Sequence, residues 1–496
     1  MPSGLSKDKI LSDTVSRLLA QLLAALIVAI LAVLYKSYDS PILWVSLLAI
    51  IAAVSTALAA RFYFLSKPFQ VRDPDPSEPP ESVTTTTAPT RRVTDRSRVF
   101  AGIDVGRHQI SHGVLRVGNY SGRAALPAAD LQILVEDRRD EETHGNRVYD
   151  DLIDTIRKLD VARIDGLGVG LPGQVDAPEG RVVGTPAGWG DVLNFKEDLA
   201  IRLAADDRST ERFGVSVGAT THERVKALNS KILIDNDVNC AARAILNDHY
   251  GESGWRHFSC VYVGRTGVGS GLVLNGEMYY GSDGVAGEVG HITVDLLPAE
   301  FERRCECRRD VDSLHFQALV SGDGLLERAS NRDPGQYARL VDAAKVDRTL
   351  KGDVLRALAA ILSDDGRLGG AMRTLAADES VQHYVHHLVQ SHARYLAIGL
   401  ASVMNMLDLD HIVLGGGVID ALWDVTFTTK AGTRGYCDEV VRQVGERTLD
   451  VPQQDIFQKI SAVNRVHRKT YSWQGAALAF CDASYPSNLT SGSDRQ

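Results

Sequence analysis

At 496 residues the chain exceeds what one hydrophobic core normally organises, roughly 250–300 residues, so several modules are expected. A formal charge of -9 supplies no basic field for gathering phosphate backbones, which argues against nucleic acid as a partner. Six cysteines are too few to staple a chain of this length, so a disulfide scaffold is not expected and a reducing compartment fits.

The chain opens with two uncharged apolar runs, residues 18–35 (LLAQLLAALIVAILAVLY) and 41–60. Each is long enough to cross a hydrocarbon core of roughly 30 Å as a helix. The first is longer than the apolar part of a signal peptide and a second follows at once, so both read as spans, with a buried helical hairpin as the alternative. Lys7, Lys9 and Arg17 precede the first run and Arg61, Lys67 and Arg72 follow the second, while only Lys36 lies between them. This asymmetry predicts a two-span hairpin over 1–66 in the cell membrane, with the N-terminus and the downstream body in the cytoplasm. Residues 67–98, which include DPDPSEPPESVTTTTAPT, have the composition of a disordered linker, and 483–496 that of a disordered tail.

Beyond the linker, short apolar runs alternate with helical stretches: FAGID, ISHGVLRV, a helix near 149–158, then IDGLGVGLPG. A second set starts at KILIDND, passes through a helix beginning near Val238, and reaches FSCVYVG and GSGLVLNGEMYYG, where Asn275-Gly276 is a turn signal. Residues 331–380 read as helical, and a long amphipathic helix over about 381–407 leads into HIVL and Gly415-Gly416-Gly417. The alternation predicts an α/β body of two similar lobes, 99–237 and 238–482.

Six motifs in order, AGIDVG, GVGLPGQVD, IDNDVNCAA, TGVGSGLVLNG, GVAGEVGH and IVLGGGV, resemble the ROK family of sugar kinases and sugar-sensing regulators. The resemblance covers about 100–480 and implies the two-lobed actin-like, ribonuclease-H-like kinase fold with a cleft between the lobes. It implies phosphoryl transfer from ATP, with Mg²⁺, to a sugar hydroxyl, a reaction that needs an aligned nucleophile and a proton acceptor.

On that resemblance Asp237 is the catalytic proton acceptor, and Asn236, Gly173, Glu288, His291 and Gln317 lie on the sugar side. A carboxylate at a helix start is otherwise an ordinary cap, the alternative reading of Asp237. Glu288 and His291, three residues apart, fall together on a helical turn. The nucleotide side is assigned to Asp104 and Gly106 in a first phosphate loop, to Thr266, Gly267 and Gly269 in a second, and to Gly415, Gly416 and Gly417 beside the adenosine. Backbone amides in such loops cradle phosphate oxygens, and a hard carboxylate at Asp104 suits Mg²⁺.

Three departures from the family pattern stand out. The family's Asp-x-Gly-Gly-Thr-Lys becomes Asp104-Val105-Gly106-Arg107-His108-Gln109, where Arg107 is either a substitute cation or a plug in the phosphate space. The family's zinc pattern of one histidine and three cysteines survives as His291, Cys305 and Cys307. Aligning QALVSG with the family's EAYASG puts Gln317 at the sugar-binding glutamate and His315 at the third cysteine, giving a mixed structural Zn²⁺ set, with Asp310 or Asp312 as an alternative fourth ligand and a metal-free loop as the other outcome. The family's Asn before the GW element has no counterpart in GTPAGWGDV.

The resulting expectation is a membrane-anchored sugar kinase acting on a hexose or N-acetylhexosamine, forming a homodimer or higher homo-oligomer as the family does. Its alternative is a catalytically weak sugar or nucleotide sensor coupled to the membrane hairpin.

Overall fold

The computed structural model describes residues 97–106, 109–118, 131–139, 147–184, 194–249, 254–296, 313–363, 368–429, 432–449, 456, 458–463 and 471–479. Strands β1 (Arg98–Val105), β2 (Ile110–Val117) and β3 (Leu131–Arg139) form an antiparallel meander, and β4 (Gly166–Leu171) lies parallel to β1 on its other side. After the short hairpin β5 (Gln174–Asp176) and β6 (Arg181–Gly184), strand β7 (Ile232–Asn236) joins parallel to β4, closing the order β3-β2-β1-β4-β7.

The central strands are covered on both faces, which is why they read as continuous apolar runs rather than alternating ones. Ala101, Ile103 and Val105 pack into a core with Val148, Leu152, Phe195, Leu199 and Leu228. Phe100, one residue out of phase, points to the other face and meets Leu115, Trp473 and Ala477. That second face is covered by the helical segment 471–479, and glycines let it lie almost on the sheet backbone. A Cβ added to Gly102 would stand 1.8 Å from the Trp473 carbonyl oxygen, and one on Gly168 would stand 1.8 Å from that of Ala476.

A second sheet repeats the plan. Strands β8 (Phe258–Val263), β9 (Val268–Leu274) and β10 (Glu277–Met278) form its meander. β9 and β10 are joined by Asn275-Gly276, whose φ values of 58 and 78 suit a tight hairpin turn of the kind the dipeptide signals. The two-stranded ribbon β11 (Thr293–Leu296) and β12 (Ser313–His315) follows, and then β13 (His411–Gly415) joins β8 in parallel. After the ribbon β14 (Thr426–Thr429) and β15 (Gly432–Gly435), strand β16 (Ile460–Ala462) pairs parallel to β13, giving β10-β9-β8-β13-β16. Both sheets thus combine three antiparallel strands with two parallel ones in the same order.

Helix Asp237–His249 leaves β7 and packs on β9, where a Cβ on Gly271 would lie 2.6 Å from the Ala242 Cβ and 2.9 Å from the Val238 carbonyl. The largest core surrounds the 29-residue helix Glu379–Leu407. Its buried positions Val381, Tyr384, Val385, Leu388, Val389 and His392 keep the 3–4 spacing of one helical face. Asp378 caps its start by accepting from Ser380 N–H, and Asp408, at φ 47, ends it. The arrangement fits the expected mixed α/β actin-like fold.

One part of the expected fold class is corrected. Among the described residues no helix is long and apolar enough to cross a membrane. Even Glu379–Leu407 carries His383, His386, His387 and Arg394 within its length. The apolar runs 18–35 and 41–60 lie outside the described residues, as do the linker up to residue 96 and the tail 483–496. The two-span hairpin and its placement in the cell membrane are therefore unsupported.

The tight seating of segment 471–479 gives a direct test. Gly168→Ala forces a methyl into a backbone carbonyl, and it should lower stability by about 3 kcal/mol, the upper end of ordinary overpacking, read as a fall in the urea midpoint.

Candidate active site

The site forms where β1, β4 and β7 end, the edge at which parallel strands of an open α/β sheet receive ligands. Asp104 pairs with Gly170 in the sheet register, and Leu171 pairs with Asn236. Gly170 is the common neighbour of the two acids: a Cβ placed there would be 3.6 Å from Asp104 Oδ1 and 3.5 Å from the Asp237 Cα. After β4 the chain turns at Gly173, whose φ of 96 favours glycine.

Asn236 organises this junction. Its Oδ1 accepts from the N–H groups of Val238 (2.9 Å) and Asn239 (3.2 Å), so it caps helix Asp237–His249, while its Nδ2 donates to the Gly173 carbonyl at 3.0 Å. The capping role open to Asp237 is thus carried by its neighbour. Burial pushes the Asp237 carboxyl up to about 6, and the charge of Glu288 adds to the rise against the stabilising Val238 N–H. Asp104, only 9% exposed, is pushed up to about 7, first by burial and then by the charge of Asp237. Ser111 Oγ donates to Asp104 Oδ2 at 3.2 Å and works in the opposite direction.

Glu288 begins a 3₁₀ turn, Val289–His291, which sets His291 Nε2 3.6 Å from Glu288 Oε2. Burial raises the Glu288 carboxyl as well. This turn is seated against the start of β9. The Gly287 carbonyl accepts from Ser270 N–H (3.1 Å) and Ser270 Oγ (2.9 Å), and a Cβ on Gly290 would stand 2.3 Å from the Val268 carbonyl.

The candidate nucleotide loops are less uniform than the motif suggests. Gly106 N–H donates to the Gln109 carbonyl at 2.8 Å, closing a tight turn, while Arg107 and His108 lie outside the described residues. The Thr266-Gly267 turn is closed by Gly264 N–H to the Gly267 carbonyl (2.9 Å), and Gly322 N–H donates to Gly264 (3.0 Å). Gly269 is occupied by packing, since a Cβ there would be 3.1 Å from Val238 Cγ2. Gly415 and Gly416 likewise press on the Tyr262 ring and the Val263 backbone, whereas Gly417 faces open space. Gln317, expected on the sugar side, turns its Oε1 toward the second phosphate loop, accepting from Val268 N–H at 3.4 Å.

The metal expectations separate. Asp104 and Asp237 offer two hard oxygen donors whose charges are disfavoured by burial, and at Asp104 also by the charge of Asp237, a set that fits a divalent ion completed by water and substrate phosphates. For zinc, His291 and His315 come together with ring centroids 5.5 Å apart. Cys305 and Cys307 lie outside the described residues, and among the described ones no group of three or more His, Cys, Asp or Glu could hold an ion. The zinc expectation is thus without support.

Sequence reasoning passed over Asp235, Tyr280 and Arg243. Asp235, 1% exposed, accepts from the Tyr280 hydroxyl at 2.7 Å, which itself accepts from Arg243 Nη2 at 2.8 Å. The signal was an acid inside the apolar strand ILIDN, a position that requires buried donors.

The ROK family profile matches residues 222–425. N-acetyl-D-glucosamine kinase of Photobacterium profundum is 35% identical over 339 residues, 64% of this chain and 84% of that one. The glucokinase of Halalkalibacterium halodurans is 30% identical over 195 residues, and the chain spans 50% of its length. Among solved structures, a ROK family transcriptional regulator homologous to the E. coli MLC protein superposes with a TM-score of 0.50 at 16% identity, covering 79% of this chain and 80% of that one. The two-sheet plan is thus shared with a ROK regulator, and the extent of the match to the N-acetyl-D-glucosamine kinase shows that the chain belongs to the ROK family.

Proposed function

We propose that the protein transfers the γ-phosphoryl group of ATP to a hydroxyl of a hexose or N-acetylhexosamine. The observation that carries this reading is Asp237, a carboxyl held at a helix start, pushed up to about 6, with Asp104 and Glu288 in electrostatic reach. A base poised near the working pH is what proton removal from a weakly acidic hydroxyl requires. The sugar oxygen forms its bond to the γ-phosphorus, the bond to the β–γ bridging oxygen breaks, ADP carries away those electrons, and the hydroxyl proton goes to Asp237.

In this reading Glu288 and His291 accept from and donate to neighbouring sugar hydroxyls, and Asn236 fixes the Gly173 turn. Backbone amides of the Thr266–Gly267 turn are available to phosphate oxygens, with Gln317 bracing that turn through Val268. A divalent ion at Asp104 would neutralise phosphate charge when bound.

A second reading, a sugar- or nucleotide-binding sensor with weak turnover, is favoured by one observation. Gln317 supplies no carboxylate and its oxygen is engaged with the Val268 amide, so one sugar contact expected of the family is altered.

Asp237→Asn should lower kcat by about 10²–10⁴-fold in a coupled ADP assay while leaving sugar binding measurable by calorimetry. In the wild type, kcat/KM should rise with pH through about 6 and level off above it, because the base must be ionised. Sugar binding without ADP release over a broad sugar panel would instead select the sensor reading.

Asp104 links pH to stability. Its folded value of about 7, against 3.8 for an ordinary aspartate, means that the folded chain holds the proton more tightly between those values, so stability falls as pH rises from about 4 to 7 and the cost is complete above 7. In buffer free of metal and nucleotide, Asp104→Asn should raise the melting temperature at pH 8 and leave it unchanged near pH 4. The gain is bounded at about 4 kcal/mol and is expected at about 1–2 kcal/mol, since packing relaxes round a charged group.

A further inference from the structure

We propose that Tyr280 is a positioning residue which, with Asp235 and Arg243, latches the segment carrying Glu288 and His291 onto the strand that leads into Asp237, and thereby sets affinity for the sugar. This rests on the reading of the site as one that binds a sugar.

The latch joins the two sheets. Asp235 lies on β7 of the first sheet, two residues before Asp237, and Tyr280 follows β10 of the second. Tyr280 donates to Asp235 Oδ2 at 2.7 Å, and Arg243 Nη2 donates to the Tyr280 oxygen at 2.8 Å. The other carboxylate oxygen, Oδ1, is held by Asn236 N–H (2.8 Å) and Asn239 Nδ2 (3.1 Å). Tyr280 is thus the hydroxyl that satisfies Oδ2 of a buried acid, and the cation behind it balances the charge through the phenol.

The segment after Tyr280 is closed on its own backbone. Ala286 N–H donates to the Tyr280 carbonyl at 3.1 Å, closing the turn, and Gly281, Gly284 and Gly287 hold φ values of 76, 73 and 91. Its tip rests on β5, where a Cβ on Gly284 would be 3.5 Å from the Val175 carbonyl, an ordinary van der Waals contact. Its far end is Glu288. A loop closed on its own backbone and pinned by a hydroxyl at its base couples that base to Glu288 and His291, with the Ser270 bonds to the Gly287 carbonyl as the anchor at its other end.

Removing the hydroxyl leaves Asp235 Oδ2 without its donor next to the catalytic strand, while the phosphate loops keep their own backbone bonds. The effect should fall on the sugar and spare the nucleotide. Full-length wild type and Tyr280→Phe are compared by coupled ADP assay and by calorimetry with N-acetylglucosamine and glucose. The expected result is a rise of about tenfold in the sugar KM, or in its Kd, with the ATP KM within twofold of wild type.

A sugar KM within twofold of wild type, or equal rises in both KM values together with a lowered melting temperature, overturns the latch and leaves the kinase reading intact. If the wild type binds sugar without turnover, the phosphotransfer reading fails and the same comparison is made on Kd. A wild type that binds neither sugar overturns both. Should Tyr280→Phe fail to fold, Arg243→Gln, which spares the Tyr280–Asp235 bond, carries the comparison with about a threefold rise expected and no change as the overturning result.

Discussion

Everything at the site depends on one helix being gripped at backbone distance from two directions. Helix Asp237–His249 meets β9 through Gly271 and the C-terminal segment through Gly475, where a Cβ would stand 1.6 Å from the Cys240 carbonyl. Segment 471–479 is in turn pressed on the first sheet through Gly102 and Gly168. Packing at backbone distance resists small displacements, because the contacting atoms have no room to approach further. The first turn of the helix, with Asn236 as its cap and Asp237 at its start, is therefore aimed by contacts made at Val238, Asn239, Cys240 and Ala242, within about its first turn and a half.

That aim brings like charges together. Asp237 feels Glu288, and Asp104 feels Asp237, each in a setting where burial already penalises ionisation. Mutual repulsion does not hold a fold together, and on the proposed reading cation or substrate binding relieves a carboxylate cluster of this kind. The helix start works the other way: the Val238 N–H bonded to Asp237 Oδ1 at 2.9 Å and the helix dipole favour negative charge at Asp237. The outcome is two acids both raised by burial, the one at the strand end also by the charge of the other and the one at the helix start also by the charge of Glu288.

Much of this was legible in the sequence, for local reasons. Asn275-Gly276 marked a hairpin turn because both residues tolerate positive φ, and the alternation of ILIDN with a helical stretch marked the β7–helix junction. The return of 471–479 to the first sheet was not legible. It depends on glycines at 102, 113, 168 and 475 meeting across hundreds of residues, and each alone reads as a turn or a weak strand position. The Tyr280–Asp235 bond escaped for the same reason, since neither residue signals the other at a separation of 45. Apolar length, by contrast, misled: it makes a membrane span conceivable, but it does not by itself distinguish a span from any other apolar segment.

Gln317 shows how the altered positions fit the same electrostatic constraint. A carboxylate there would add a further negative charge against the Gly290 turn, two residues from Glu288, in a site where three acids are already raised by burial. The amide oxygen makes the same bond to Val268 N–H without that charge, and its approach to Gly267 and Gly290 ties the second phosphate loop to the sugar-side turn. On the proposed reading, a neutral acceptor at this position shifts the burden of sugar recognition toward Glu288 and His291. Those two residues depend for their placement on the segment that begins at Tyr280, so the substitution at 317 makes the seating of that segment matter more.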